Sequence, residues 1–504
     1  MTSVETRAEA TAPVPSPPPT SSASQRYRVV WRWHFYAGLF VAPVLLVLAI
    51  TGSIYLFKEP FEEWRYQDVR TLAEPAATAR PLSEQITAAQ QVRPGTPVMS
   101  VIPPTSPDRT TRVILQGTDT GPFAQGVSVY VNPGTAQVVG EIDDAATFMR
   151  VVRTIHGELM SGTAGDRVVE IAACWALILA ATGTYLWWGG RRKRVKGAPV
   201  RKMRSGRAKL RRLHVTAGIG GGAVVVFLVL SGLPWSGVWG DGLQRIEAGT
   251  GSTYPSADDY PNTSTPLSGD LSANPDAKVP WAAERLPVPP SDNTSGNTSG
   301  DTSGDTSGDA HAGHGATHGV LQPGALPVEN ALAAARPAIR RCPPAECDVK
   351  VLLPDGPEGV YTIVTDPRRD PADAQTLHVD QYSGKVLTSY GWDEYGVLAK
   401  AVEQGVALHE GRRYGVVNLL VMLGACLTII TLVVTGTWMW WKRRPRGRAG
   451  APARATDRRT AYGVMAIMAV LGLLFPLAGV TMIVVLLVDW LVLRRIPKLA
   501  RVFG

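Results

Sequence analysis

The chain is short of several things. Four cysteines in 504 residues make no disulfide framework. Charged residues are only 18% of it against 45% hydrophobic. Within the long apolar runs Asp489 is almost the sole acid, which argues against a metal-transport path lined by carboxylates. No G-x-G-x-x-G follows a strand, and the basic segments between apolar runs are too short to hold a flavin or nicotinamide domain. No small-residue cleavage site follows the first apolar run, Val29 to Phe57, which is also too long for a secretory leader. It reads as an uncleaved membrane span.

What is present is segregated. About 20 apolar residues cross a roughly 30 Å hydrocarbon core, and spans are expected at 29–57, 166–188, 213–236 and 414–441. The run 461–493 reads as a hairpin of two short spans turning near Pro476, with one long tilted helix as the alternative. Trp and Tyr gather at span ends, as an interfacial belt requires. Twelve Lys/Arg fall in 189–212, eight in 442–460 and four after Leu493. Each cluster abuts a span, so the positive-inside rule accounts for them without nucleic acid. The Pro/Ser/Thr-rich N-terminus (1–28), both basic loops and the tail 494–504 are then cytoplasmic. Segments 58–165 and 237–413 lie outside.

The second outer segment opens with a low-complexity insert, 237–325, containing NTSGNTSGDTSGDTSGD and HAGHGATHG. Its His311, His314 and His318 could chelate a metal weakly. Cys342 and Cys347 could form one local disulfide outside the cytoplasm. Cys174 and Cys426, inside spans, read as small packing residues.

The chain repeats itself. His34-x2-Ala37-Gly38 running on to Thr51-Gly52 matches His214-x2-Ala217-Gly218 running on to Ser231-Gly232, at an offset of 180. His156 precedes TGTYLWW by 26 residues, and His409 precedes TGTWMWW by the same 26. VYVNPGTAQVVGEI (129–142) and LHVDQYSGKVLTSY (377–390) both read as hairpins. Amphipathic helices are expected over 82–92 and 327–339 ahead of them. The unit is a span, a small α+β domain, a histidine-bearing segment and a second span, and it occurs twice. The fold class is therefore an α-helical transmembrane bundle, four repeat spans plus the C-terminal hairpin or long helix, with two small α+β extracytoplasmic domains at 58–165 and 326–413.

Of eight histidines, three are in the insert and His378 is mid-strand, where an ordinary sheet position suffices. The other four stand at span ends, His34 and His214 toward the cytoplasm, His156 and His409 outside. Interfacial imidazoles explain one or two of these, not four at matched positions. Imidazole is a usual axial ligand of haem iron, and two spans giving one each can hold a haem between them. His34 with His214, and His156 with His409, are the expected axial pairs of two haems, with a single haem or none as the alternatives. From His34 to Gly52 is 18 residues, about 27 Å of helix, so the pairs are near opposite faces. Gly38, Gly218 and the TGT and SG glycines would let a flat macrocycle or a neighbouring helix come close. Arg32 and Arg212, or Arg412 and Arg413, could meet haem propionates.

In WH-x2-AG of the first span, RLH-x3-G of the third, LHEG at 408–411, the TGT-x2-WW span ends and the outer hairpins, the chain resembles the PepSY-associated transmembrane family, which includes iron-regulated proteins and ferric-siderophore reductases of bacterial inner membranes. The resemblance covers 29–500 apart from the 241–320 insert. It implies PepSY-like outer domains and haem b on His34, His214, His156 and His409. It also implies reduction of a ferric chelate or siderophore outside the cytoplasm. IHGEL at Ile155 departs from the pattern by lacking a following Leu-rich run. The electron donor would be external, a membrane quinol or a cytoplasmic reductase. The rival reading is an anchored PepSY protein that binds or regulates secreted peptidases without redox activity.

Overall fold

The computed structural model describes residues 22–117, 126–194, 206–250, 264–267, 279, 287–291, 321–344, 346–445, 450, 458–493 and 495–496. Most of the N-terminal segment, the centres of both basic loops, the tail and the Gly/Ser/Thr repeat with His311, His314 and His318 lie outside them.

In chain order the first elements are α1 (Ser22–Tyr55), α2 (Lys58–Arg65), α3 (Gln67–Arg70), α4 (Leu82–Val92), β1 (Val98–Ile102), β2 (Thr111–Leu115), β3 (Val127–Val131), β4 (Val138–Asp143), α5 (Phe148–Glu158) and α6 (Gly162–Arg194). Next come α7 (Gly206–Gly232), α8 (Gly237–Thr250), the small strands β5 (Ser264–Leu267) and β6 (Pro287–Val288), and α9 (Val328–Ala335). The rest are β7 (Cys347–Leu352), β8 (Val360–Pro367), β9 (Gln375–Asp380), β10 (Val386–Gly391), α10 (Val397–His409), α11 (Val416–Arg443), α12 (Arg458–Leu474) and α13 (Pro476–Val488).

Among the described residues five segments are helical and apolar enough to cross a membrane: Gln25–Tyr55, Gly162–Gly189, Ala208–Trp235, Val416–Arg443 and Pro476–Leu493. A helix satisfies its backbone internally, which a hydrocarbon environment demands. The chain is a multi-pass membrane protein. α1, α6, α7 and α11 close a ring, with α1 against α6 and α11, and α7 against α6 and α11. α12 and α13 break at Phe475, whose φ of −128° and ψ of 83° leave the helical region, as a residue before proline tends to. A Cβ on Gly479 would lie 2.7 Å from the Gly472 Cα, so the two helices fold back on each other. They lean on one side of the ring, through Phe475, Ala478 and Met482 against Ala37, Val41, Trp175 and Ile178. The Trp175 Nε1–H donates to Thr481 Oγ1 at 3.0 Å.

The strands differ from the expectation of two separate domains. Eight of those described form one antiparallel sheet, ordered β10-β9-β8-β7-β1-β2-β3-β4, while β5 and β6 pair with each other. β1 and β7, an edge from each half, pair with Val101 opposite Val351. That pairing removes two open edges. α4 and α9 lie side by side on one face over a shared core of Leu82, Ile86, Val328 and Leu332 with Val101, Val129, Val351 and Leu377. The Ser83 N–H and Oγ–H both donate to the Glu329 carboxylate, at 3.1 and 2.8 Å. In the β3–β4 turn Asn132 Oδ1 accepts from Gly134 N–H. In the β9–β10 turn Asp380 Oδ1 accepts from the Tyr382 and Ser383 N–H groups. These are Asx turns, and they explain why Asn and Asp stand there.

The segment read as an insert is partly built into the fold. α8 follows α7, and the buried Glu170 of α6 accepts from the Val238 and Trp239 N–H groups at 2.9 and 3.1 Å, satisfying donors that open the helix. Ser291 N–H donates to Glu358 O. Cys342 and Cys347 are joined in a disulfide, and Cys174 and Cys426 are buried thiols.

His378 is fully buried in β9, Nδ1 on Thr362 Oγ1 at 2.9 Å and Nε2 on Tyr390 Oη at 2.8 Å. Burial pushes its pKa from 6.5 down to about 3. Between these values the unfolded chain binds the proton and the folded one does not, so stability is whole above 6.5 and falls as pH drops toward 3. Thermal unfolding followed against pH is expected to show that loss, and His378→Gln, which cannot titrate, to flatten it.

Candidate functional site

The four span-end histidines are held in the same way. Nδ1 of His34 in α1 lies 2.9 Å from Thr182 Oγ1 in α6. Nδ1 of His156 in α5 lies 3.0 Å from Thr51 Oγ1 in α1. In the second half, His214 of α7 meets Thr435 of α11 at 2.9 Å, and His409 of α10 meets Ser231 of α7 at 3.0 Å. The backbone carbonyl three residues before each hydroxyl, that of Leu179, Leu48, Leu432 or Leu228, lies within hydrogen-bond distance of the hydroxyl itself.

A glycine follows each hydroxyl, and the ring lies on it. A Cβ on Gly183, Gly52 or Gly232 would sit 3.2 Å from the Cε1 of His34, His156 or His409, and one on Gly436 would sit 3.4 Å from that of His214. These TG and SG glycines, read from sequence as clearance for a macrocycle or a helix, are seats for imidazoles. Gly38 and Gly218 instead face Leu179 and Leu432 side chains at 3.7 and 3.5 Å, which is helix packing. Each seat is a Leu-x-x-[Ser/Thr]-Gly run, present once in each of the four ring helices. That fourfold run was the available sequence signal for the seats.

Each half is reciprocal. α1 sends His34 to α6 and receives His156 from the helix just before α6. α7 and α11 do the same with His214 and His409. His156 and His409 are not on the spans themselves but on the short helices α5 and α10. Leu159 and Met160, both at positive φ, turn the chain from α5 into α6.

The halves bring the rings together in pairs. His156 and His409 face each other on the sheet side, ring centroids 6.5 Å apart and planes at 77°. His34 and His214 stand at the far end, on the seats of α6 and α11. One helix carries both His34 and the Thr51 seat, 17 residues apart, so the two pairs are separated by about 25 Å. Trp33 stacks on Trp175 beside the far pair, centroids 6.1 Å apart.

Residues 31–443 match the family model described as the PepSY-associated TM region. The chain belongs to that family. The matched span of this PepSY-associated TM protein holds all four histidines and all four seats, and α12 and α13 lie beyond it. No curated protein matches the chain.

Among the described residues no three His, Cys, Asp or Glu side chains converge on a metal position. What converges is imidazole in twos. Two protein ligands suit a metal that brings its other ligands with it, as the iron of a porphyrin does. Two imidazoles on opposite sides of one metal, each bond about 2 Å, would have centroids roughly 6 Å apart, and the sheet-side rings meet that spacing. The donor set fits the group as well: Nδ1 is engaged by its seat, and Nε2 of none of the four makes a hydrogen bond to another described residue.

Of the arginines singled out from sequence, Arg32 lies over Tyr36. Arg412 donates to the Glu410 carboxylate and Pro367 O, and Arg413 to Gln404, with Asp370 as its ion-pair partner. Lys58 and Arg153 also act on Glu410, the residue after His409. Sequence reading passed over both, since nothing in the chain order places α2 or α5 beside α10.

Proposed function

We propose that this protein is a transmembrane electron carrier holding two haems b. In this reading His156 with His409 and His34 with His214 would hold the two groups. Bound there, haem would supply one-electron redox chemistry. The chain's own part is placement. The ring of α1, α6, α7 and α11 keeps the pairs on two levels, the glycine seats fix each imidazole, and the apolar helices exclude water. Lys/Arg-rich loops 189–212 and 442–460 flank the end away from the sheet, which favours a cytoplasmic N-terminus and far side, with the PepSY-like sheet outside a bacterial inner membrane.

A quinol or a cytoplasmic reductase would give electrons at the His34–His214 level. A ferric chelate or siderophore on the sheet side would accept one electron per iron. Outer-sphere transfer asks for no catalytic acid or base. The observation that carries this reading is the facing His156–His409 pair, each ring gripped at Nδ1 with Nε2 turned to no protein partner.

Purified protein supplied with haem is expected to show b-type Soret and α bands in a reduced-minus-oxidised spectrum, at two haems per chain. Absence of those bands would remove the proposal.

A further inference from the structure

The seats do more than leave room. In each, the hydroxyl donates within its own helix, at the shorter distance to the carbonyl four residues back (Thr51 to Val47 at 2.8 Å, Thr182 to Ile178 at 2.7 Å, Ser231 to Phe227 at 2.8 Å and Thr435 to Thr431 at 2.5 Å) and at the longer to the leucine carbonyl three back. The oxygen is left only to accept. The leucine carbonyl beside it can do nothing else. The hydroxyl oxygen that meets Nδ1 thus offers an acceptor and no donor, so Nδ1 carries the hydrogen and Nε2 keeps its lone pair. Four independent seats impose one tautomer.

We propose that Thr51, Thr182, Ser231 and Thr435 are positioning residues that fix this tautomer and raise the donor strength of the four imidazoles, and so help set the two haem potentials. The inference rests on the reading of the histidines as haem ligands. A hydrogen bond accepted from the remote ring nitrogen makes the other nitrogen more basic. A more basic ligand favours ferric over ferrous iron and holds the potential down. The bland role, a hydrogen bond that only ties two helices together, leaves potentials untouched.

Thr→Val keeps the side chain's shape and removes the acceptor, and Thr→Ser keeps the acceptor. The glycine under each ring remains in every variant, so a shift is expected and not wholesale haem loss. Potentiometric titration of the haem-loaded protein should resolve two transitions. Thr182→Val is expected to raise only the one belonging to His34 and His214, and Thr51→Val only the one belonging to His156 and His409. Thr182→Ser and Thr51→Ser should match wild type. A tenfold loss of preference for ferric iron reads as a rise of about 59 mV in a one-electron couple. Low-spin ferric resonance positions should move with the same site selectivity. Loss of a single haem in a Val variant, with the other at its wild-type potential and the Ser variant intact, also supports the assignment. Unchanged potentials in both Val variants would overturn it, as would both transitions moving together or both haems being lost. Wild-type protein that binds no haem would instead overturn the proposed function.

Discussion

His156→Ala is expected to leave one haem per chain where wild type holds two, and His409→Ala to give the same result. The two rings face each other at 6.5 Å between centroids, and among the described residues neither has another histidine on its own level to take its partner's place. A haem kept by one axial imidazole in an open site exchanges more readily than one clamped from both sides. Because the pair acts as a unit, the double variant should be no worse than either single one, a strongly non-additive outcome. His34→Ala and His214→Ala should remove the other haem. They should also abolish reduction of an outside ferric chelate by a donor on the far side, while added dithionite still reduces the haem that remains. Haem extraction and quantitation on the four single variants checks all of this. Four variants that each keep two haems would dissolve the pairing.

The second large effect is expected at the seats' glycines. Gly183→Val places a branched side chain where a first carbon alone already lies 3.2 Å from His34 Cε1. The ring cannot slide aside without leaving Thr182. The far-side haem should be lost, with overpacking costing about 1–3 kcal/mol. Gly218→Ala is the control. It lies on the same pair's level, four residues from His214, but faces the flexible end of Leu432 at 3.5 Å, and both haems should stay. Haem stoichiometry and thermal unfolding of the two variants decide the matter. If Gly183→Val binds as wild type, the seat is not what holds the ring.

How much of this could be read beforehand follows from the range over which each signal acts. Apolar runs are local, so the long helices of the ring are visible in hydropathy alone. Asn132 and Asp380 mark their turns because each side chain bonds to backbone only two or three residues away. The repeat singles out His34, His156, His214 and His409 by offset. What each of them touches is another matter. His34 and Thr182 are 148 residues apart, and His214 and Thr435 are 221 apart, so Thr-Gly and Ser-Gly looked like clearance and not like half of a hydrogen bond. The joining of β1 to β7 is hidden for a similar reason. An edge strand that finds a partner 250 residues on carries no different pattern from one that faces water. Nor do Leu159 and Met160 announce the break between α5 and α6, since their positive φ is imposed by what the chain packs against rather than by residue type.

The order of the strands has a mechanical meaning. β4 and β10 are the two outermost strands of the sheet, and each leads directly into the helix that bears a sheet-side imidazole, α5 after β4 and α10 after β10. The sheet is thus the beam of a caliper, and His156 and His409 are at the tips of its jaws. The β1–β7 pairing, midway along the beam, is the joint through which the two jaws are held to one another.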